Sequence, residues 1–156
     1  MNTNLKFFFK VVSSYKNKQI NLPRRQTLFS SGYDFESAID IVIEPKEVVL
    51  IPTGIKACFD NDKVLFIYPR SSLALKRSLI MPNSVGVIDS DYYNNENNEG
   101  HIFVPLYNFS DERVVIKKNE RIAQGILQNF YLTNDDFVEK DKIRQSGFGS
   151  TNKKFF

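Results

Sequence analysis

Apolar residues along this chain fall in short runs rather than at helical spacing. Ile39–Ile43, Val48–Ile51, Ile55–Phe59, Val64–Tyr68, Ile102–Leu106, Val114–Ile116 and Ile126–Leu132 are rich in Val, Ile, Phe and Tyr, side chains that suit a pleated, half-buried surface. Breakers bound each run: Glu44-Pro45-Lys46, Pro52-Thr53-Gly54, Asp60-Asn61-Asp62, Asn108-Phe109-Ser110-Asp111 and Lys118-Asn119-Glu120 carry the residues that turns select. Met1–Val12, with Phe7-Phe8-Phe9 between Lys6 and Lys10, reads as a first strand, being too short in its apolar part for a signal peptide and lacking a small-residue cleavage site. Only Arg70–Ile80 has a weak helical pattern, behind two serines suited to capping. Asp91–Gly100 is polar, with no apolar anchor after Tyr93, and reads as a surface loop. From Thr133 onward the chain turns polar and reads as a mobile arm. The pattern predicts an all-β sandwich or barrel with one short helix, residues 1–133 forming the barrel and 134–156 an arm of the same single domain.

Composition narrows the function classes. With 156 residues, 42% hydrophobic and 25% charged, one domain with an adequate core is expected. Lys and Arg number 21 against 18 Asp and Glu, a net charge of +3, which gives no case for direct nucleic-acid binding. The single cysteine, Cys58, forms no intrachain disulfide, and with the single histidine, His101, it makes no zinc framework. No apolar run approaches the roughly 20 residues of a membrane-spanning helix, so a cytoplasmic protein without membrane contact is expected.

Four fragments carry candidate chemistry. Arg144-Gln145-Ser146-Gly147-Phe148-Gly149-Ser150-Thr151 combines glycines that let backbone N–H groups approach an anion with hydroxyl and guanidinium donors, the composition of a phosphate grip. Phe148 in its middle is suited to close over a planar ring. Pro69-Arg70-Ser71-Ser72 follows a strand and precedes the helical segment, where hydroxyls and amides favour an anion. Asn83–Tyr92 is a strand-like stretch that delivers Asp89 at its end and Asp91 two residues later; the two carboxylates share a face if the extended geometry persists. Asn119–Gln124 lies between two runs and reads as a polar turn that presents the Gln124 amide beside small neighbours. Taken singly, each has an ordinary explanation: a flexible tail, a capped helix start, a solvated turn and a polar turn.

Taken in order, with Gly32-Tyr33-Asp34-Phe35 near the start, the fragments resemble the five motifs of the trimeric dUTPases, the deoxyuridine triphosphate nucleotidohydrolases, in a bacterial or phage-like form. Gly-Tyr-Asp-Phe matches the first motif, Pro-Arg-Ser-Ser the second, Gly-Val-Ile-Asp-Ser-Asp-Tyr from Gly86 the third, Glu-Arg-Ile-Ala-Gln from Glu120 the fourth and Gly-Phe-Gly-Ser-Thr from Gly147 the fifth. The resemblance implies a jelly-roll-like distorted β-barrel that forms a homotrimer, with sites shared between subunits and closed by a C-terminal arm. It implies attack of water on the α-phosphorus of dUTP, giving dUMP and pyrophosphate, with Mg²⁺ held mainly by triphosphate oxygens. Asp89 would be the general base. Tyr92 would pack on the deoxyribose and exclude a 2′-hydroxyl, while Asn83 and the hairpin through Gly86, Val87 and Ile88 would read uracil. Arg70, Ser71 and Ser72 would grip the α- and β-phosphates, and Gln124 would donate to the phosphate chain. Arg144, Ser150 and Thr151 would clamp the γ-phosphate beside Gly149, and Phe148 would stack on the base. Asp34 would support the phosphate site through Arg70 or Mg²⁺-bound water.

The chain departs from the family pattern in two places. Tyr92 is followed by Tyr93-Asn94-Asn95-Glu96-Asn97-Asn98-Glu99 before Gly100, where most members have a single residue between this tyrosine and a Gly-Glu pair. The Asn94–Glu99 loop would shape a surface for a protein partner or cover part of the pocket. Two residues separate Arg144 from Gly147 where three are usual. Two alternatives stay open: a dCTP deaminase-like or bifunctional enzyme of the same fold, and a nucleotide-gated regulatory binding protein.

Overall fold

The computed structural model describes residues 6–138. Eleven strands run in chain order: β1 Phe7–Val11, β2 Tyr33–Glu36, β3 Ile41–Ile43, β4 Val48–Pro52, β5 Ile55–Phe59, β6 Lys63–Pro69, β7 Leu79–Ile80, β8 Gly86–Ile88, β9 Phe103–Asn108, β10 Val114–Ile116 and β11 Arg121–Asn129. One α-helix, α1 Ser72–Arg77, separates β6 from β7. All pairings between these strands are antiparallel and form four groups: β1 with β5, β3 with β10, β4-β9-β7, and β2-β11-β6-β8. The result is a jelly-roll-like β-barrel.

Alternation places the core. In β9 the side chains of Val104, Leu106 and Asn108 are buried and those between them half-buried, as a sheet with one face on the core requires. Phe35, Ile43, Ile51, Leu65, Leu79, Ile116 and Ile122 are fully enclosed. They come from seven strands belonging to three of the four groups, so non-local burial ties the groups together. The buried Asn108 sits in this interior because its amide donates to Ile43 O at 3.0 Å and Glu112 O at 2.7 Å, which offsets its desolvation.

Several sequence expectations are corrected by the structure. The helix is shorter than Arg70–Ile80: Ser78 takes a left-handed conformation, φ 52° and ψ 36°, its N–H closes on Leu73 O, and Leu79–Ile80 then joins β9. Ser71 occupies the N-cap position without a side-chain capping hydrogen bond. Arg121–Gln124 is not a turn but the first half of β11, held between β2 and β6, both of which its backbone bonds. Asp89 and Asp91 do not share a strand face, because extended geometry stops at Asp89 and Ser90–Tyr92 forms a 3-10 turn. The first strand begins at Phe7, and the run from Ile126 leaves the sheet after Asn129.

The segment after Tyr92 is a surface loop anchored by polar rather than apolar groups. Asn95 is buried; its Oδ1 accepts from the Asn97 and Asn98 N–H groups and its Nδ2 donates to Tyr92 O. Side-chain amides here supply the partners that helix or sheet supplies elsewhere.

Candidate active site

The Asn83–Tyr92 fragment builds one wall of an apolar pocket of about 220 Å³. Pairing of β8 with β6, Gly86 opposite Ile67 and Ile88 opposite Leu65, fixes where the fragment lies. Between β7 and β8 the chain reverses through a turn in which Ser84 N–H donates to Met81 O at 3.0 Å, Val85 N–H donates to Asn83 O at 2.7 Å, and Ser84 has φ 61°. Asn83, Gly86, Val87, Ile88, Asp89 and Tyr92 all line the pocket, whose remaining walls are Ile67, Met81, Ile102, Phe103 and Pro105. This is the composition of a site for a small planar apolar body with a few polar groups at its edge.

Asp89 stands where β8 gives way to the turn. Its backbone is extended and its carbonyl accepts from Tyr92 N–H at 3.1 Å. It also borders a shallower pocket with Asn61, Lys63, Ser90, Asp91 and Phe130, which brings a carboxylate to the junction between an apolar and a polar cavity. Tyr92 is only 6% exposed, and its hydroxyl donates to His101 O at 2.7 Å.

A second pocket, of about 190 Å³, gathers Asp34, Arg70, Ser71 and Gln124. Asp34 Oδ1 lies 3.4 Å from Arg70 Nε, and Asp34 Oδ2 lies 3.1 Å from Arg121 Nη1. Arg70 Nη1 also donates to Arg121 O at 3.4 Å, and the Gln124 amide donates to Pro69 O at 3.4 Å. One carboxylate holding two half-exposed guanidiniums presents a net cationic site with fixed donors, suited to an anion. Ser72 is half-buried in the first turn of α1 and does not line this pocket. Gln26, Ser30 and Gly32 complete it. Gln26 and Ser30 carried no sequence signal, since their loop reaches the site through the Arg24–Asp34 bridge and the Thr27–Ser30 turn. Arg121 lay inside the fourth motif without a role until its ion pair placed it here.

The two pockets lie on opposite faces of one sheet. Asp34, Gln124 and Tyr68 are partners in adjacent ladders and so point the same way. The next row, Gly125, Ile67 and Gly86, points the other way: a Cβ on Gly125 would come within 2.7 Å of the enclosed Phe35 ring, on the core side. Ile67 and Gly86 line the apolar pocket, whereas Asp34 and Gln124 line the cationic one. Arg144, Phe148, Gly149, Ser150 and Thr151 lie outside the described residues.

As for a metal, Asp34 is the one carboxylate lining the cationic pocket, and both of its oxygens face arginines. This donor set fits a cation held by the oxygens of a bound polyphosphate, with Asp34 facing its water shell, better than a cation held by protein carboxylates. No helix among the described residues is long and apolar enough to cross a membrane.

Comparison with known proteins gives a consistent answer. Residues 18–152 match the family model described as dUTPase. The deoxyuridine 5′-triphosphate nucleotidohydrolase of Lactococcus lactis is 50% identical over 143 residues, covering 92% of this chain and 95% of the relative. That of Finegoldia magna is 38% identical, over 86% of this chain and 94% of its own. Among solved structures, the dUTPase from Streptococcus mutans superposes with a TM-score of 0.78 at 43% identity, covering 81% of this chain and 98% of that one. The dUTPase of Staphylococcus bacteriophage 80alpha shares the fold, with a TM-score of 0.69 at 22% identity over 88% of this chain and 98% of its own. With the family model spanning most of the chain and residues from the first four motifs lining two pockets, the chain belongs to the dUTPase family.

Proposed function

We propose that the chain hydrolyses dUTP to dUMP and pyrophosphate by attack of water on the α-phosphorus, with Asp89 as general base. The observation that carries this reading is that Asp89 and Tyr92 line one pocket with the Asn83–Ile88 hairpin. That pocket has room for a nucleoside's base and sugar, and its carboxylate sits at the mouth, where the 5′-phosphate of such a nucleoside would begin. Asp89 takes a proton from water as the oxygen bonds to phosphorus, and the bond from phosphorus to the bridging oxygen breaks to release pyrophosphate.

Selectivity follows from the walls. The Tyr92 ring, buried and held, packs on the deoxyribose and leaves no room for a 2′-hydroxyl. Asn83 and the backbone of Gly86–Ile88 pair with the uracil edge. Cytosine inverts a donor and an acceptor there and leaves buried groups unpaired. Arg70, Ser71 and Gln124 line the cationic pocket and receive the phosphate chain, with Ser72 beside them in the first turn of α1, and Arg144, Ser150 and Thr151 clamp its end while Phe148 covers the base beside Gly149. Asp34 would face the water shell of a Mg²⁺ ion carried by the triphosphate oxygens, and that ion would supply neutralisation of the phosphate charge.

Separation of the two pockets by a sheet supports a homotrimer in which one subunit supplies Asp89 and Tyr92 and a neighbour supplies Arg70 and Gln124 to the same nucleotide. Such an enzyme, working in the cytoplasm, limits uracil entry into DNA and supplies dUMP for thymidylate synthesis. Incubation with dUTP, dCTP, dTTP and UTP in the presence of Mg²⁺ tests the reading. Pyrophosphate from dUTP alone supports it, whereas ammonia from dCTP, or consumption of none of the four, overturns it.

A further inference from the structure

The inserted residues after Tyr92 turn inward onto Tyr92 itself. Asn98 Nδ2 donates to the Tyr92 hydroxyl oxygen at 2.8 Å, while that hydroxyl donates to His101 O at 2.7 Å. At the other end of the residue, Asn95 Nδ2 donates to Tyr92 O at 2.9 Å. The two amides are themselves joined, Asn95 Nδ2 to Asn98 Oδ1 at 2.8 Å, and Asn98 Oδ1 also accepts from Gly100 N–H at 3.1 Å. Closure is tight enough that a Cβ on Gly100, at φ 81°, would fall 2.5 Å from Tyr92 O. Lys56 secures the loop from outside, donating to Asn94 Oδ1 at 2.6 Å and to Glu99 Oε2 at 3.1 Å.

A phenol ring with two free hydrogen-bonding directions can rock about its side-chain torsions. One whose oxygen both donates to a backbone carbonyl and accepts from a fixed amide has its in-plane position set at the tip as well as at the root. From this geometry we infer that Asn98 is a positioning residue for substrate selection: it holds the Tyr92 ring against the sugar position so that a ribonucleotide cannot displace it. Asn95 holds Asn98 and the Tyr92 carbonyl in turn. The inference rests on the proposed role of Tyr92 as the sugar wall. It gives the Asn94–Glu99 insertion a task inside its own subunit, that of a brace behind a selectivity wall.

Asn98→Asp keeps the acceptor that serves Gly100 and Asn95 but removes the donor to the tyrosine hydroxyl. The ratio of kcat/KM for dUTP to that for UTP should fall by about tenfold, the size of one lost buried hydrogen bond, mainly through improved use of UTP. In a Tyr92→Phe background, where no hydroxyl remains, Asn98→Asp should cause no further change, which a merely structural role would not produce. An unchanged ratio in folded Asn98→Asp protein, or an equal fall in the presence and absence of the Tyr92 hydroxyl, overturns the inference. Tyr92→Leu separates it from the reading beneath: if that variant keeps the wild-type ratio, Tyr92 is not the sugar wall, whereas a lost ratio in Tyr92→Leu with an unchanged one in Asn98→Asp sinks the brace alone.

Discussion

Asp34 stands directly opposite Gln124 across the β2–β11 ladder, and the side chains of both face away from the layer that carries Ile67 and Gly86. In the proposed shared-site trimer, a single nucleotide reaching both the cationic cluster and the Asp89 pocket is held by more than one copy of the chain. Arg70→Ala and Asp89→Asn subunits, each inactive alone, should complement one another when dissociated and reassembled as a mixture. Random pairing across a two-subunit site predicts recovery of roughly a quarter of wild-type activity. No recovery in assembled mixed oligomers would place both groups in one subunit's site.

Asp89→Asn should lower kcat for dUTP by about 10²-fold or more with little change in dUTP affinity, the pattern of a lost general base. Single-turnover kinetics and equilibrium binding separate the two effects. A matched loss in affinity would make Asp89 a binding group instead.

Ending the chain before Arg144 should impair turnover while leaving thermal unfolding close to wild type, because among the described residues the enclosed core is drawn from the stretch between Val12 and Ala123. Truncated protein with full turnover would remove Arg144, Phe148, Ser150 and Thr151 from the site.

His101 supplies a pH prediction. Burial pushes it down from 6.5 to about 4, against the opposing charge of Glu99, and its neutral ring accepts the Gly54 N–H at Nε2 at 2.8 Å. Below 6.5 the unfolded chain takes up a proton that the folded chain refuses, so the stability of the neutral ring is complete above 6.5 and is lost as pH falls toward 4. Glu99 adds a second, more acidic window: hydrogen bonds from Ser13 and Lys56 hold it down from 4.5 to about 2, so its contribution is lost below 4.5. Replacing His101 with Gln, which keeps an acceptor without a proton to gain, should flatten the fall of Tm between pH 6.5 and 4. An equally steep fall in that variant would assign the acid loss elsewhere.

The sequence showed the barrel more clearly than the site. Runs such as Val48–Ile51, Ile55–Phe59, Val64–Tyr68 and Val114–Ile116 became strands with little change of boundary, because β-branched and aromatic residues already encode a half-buried sheet. Elements set by partners were harder to read. Arg121–Gln124 looks polar, yet it is a strand because β2 and β6 flank it, and Leu79–Ile80 leaves the helical segment because Ser78 turns left-handed and β9 offers pairing. Asp89, Tyr92 and Asn83 acquired meaning from the order of motifs. Arg121, Gln26 and Ser30 acquired theirs from the fold, since Asp34 meets Arg121 across 87 residues of chain and nothing local announces that contact. Asn98 is the clearest case: a polar insertion reads as solvent-facing until its amide is seen on the Tyr92 hydroxyl.

The chemical step is tested most directly by hydrolysing dUTP in water enriched in heavy oxygen and weighing both products. Attack at the α-phosphorus steered by Asp89 predicts one heavy oxygen in dUMP and none in pyrophosphate, with the signal lost in Asp89→Asn. Label in pyrophosphate, or release of orthophosphate, would contradict the account.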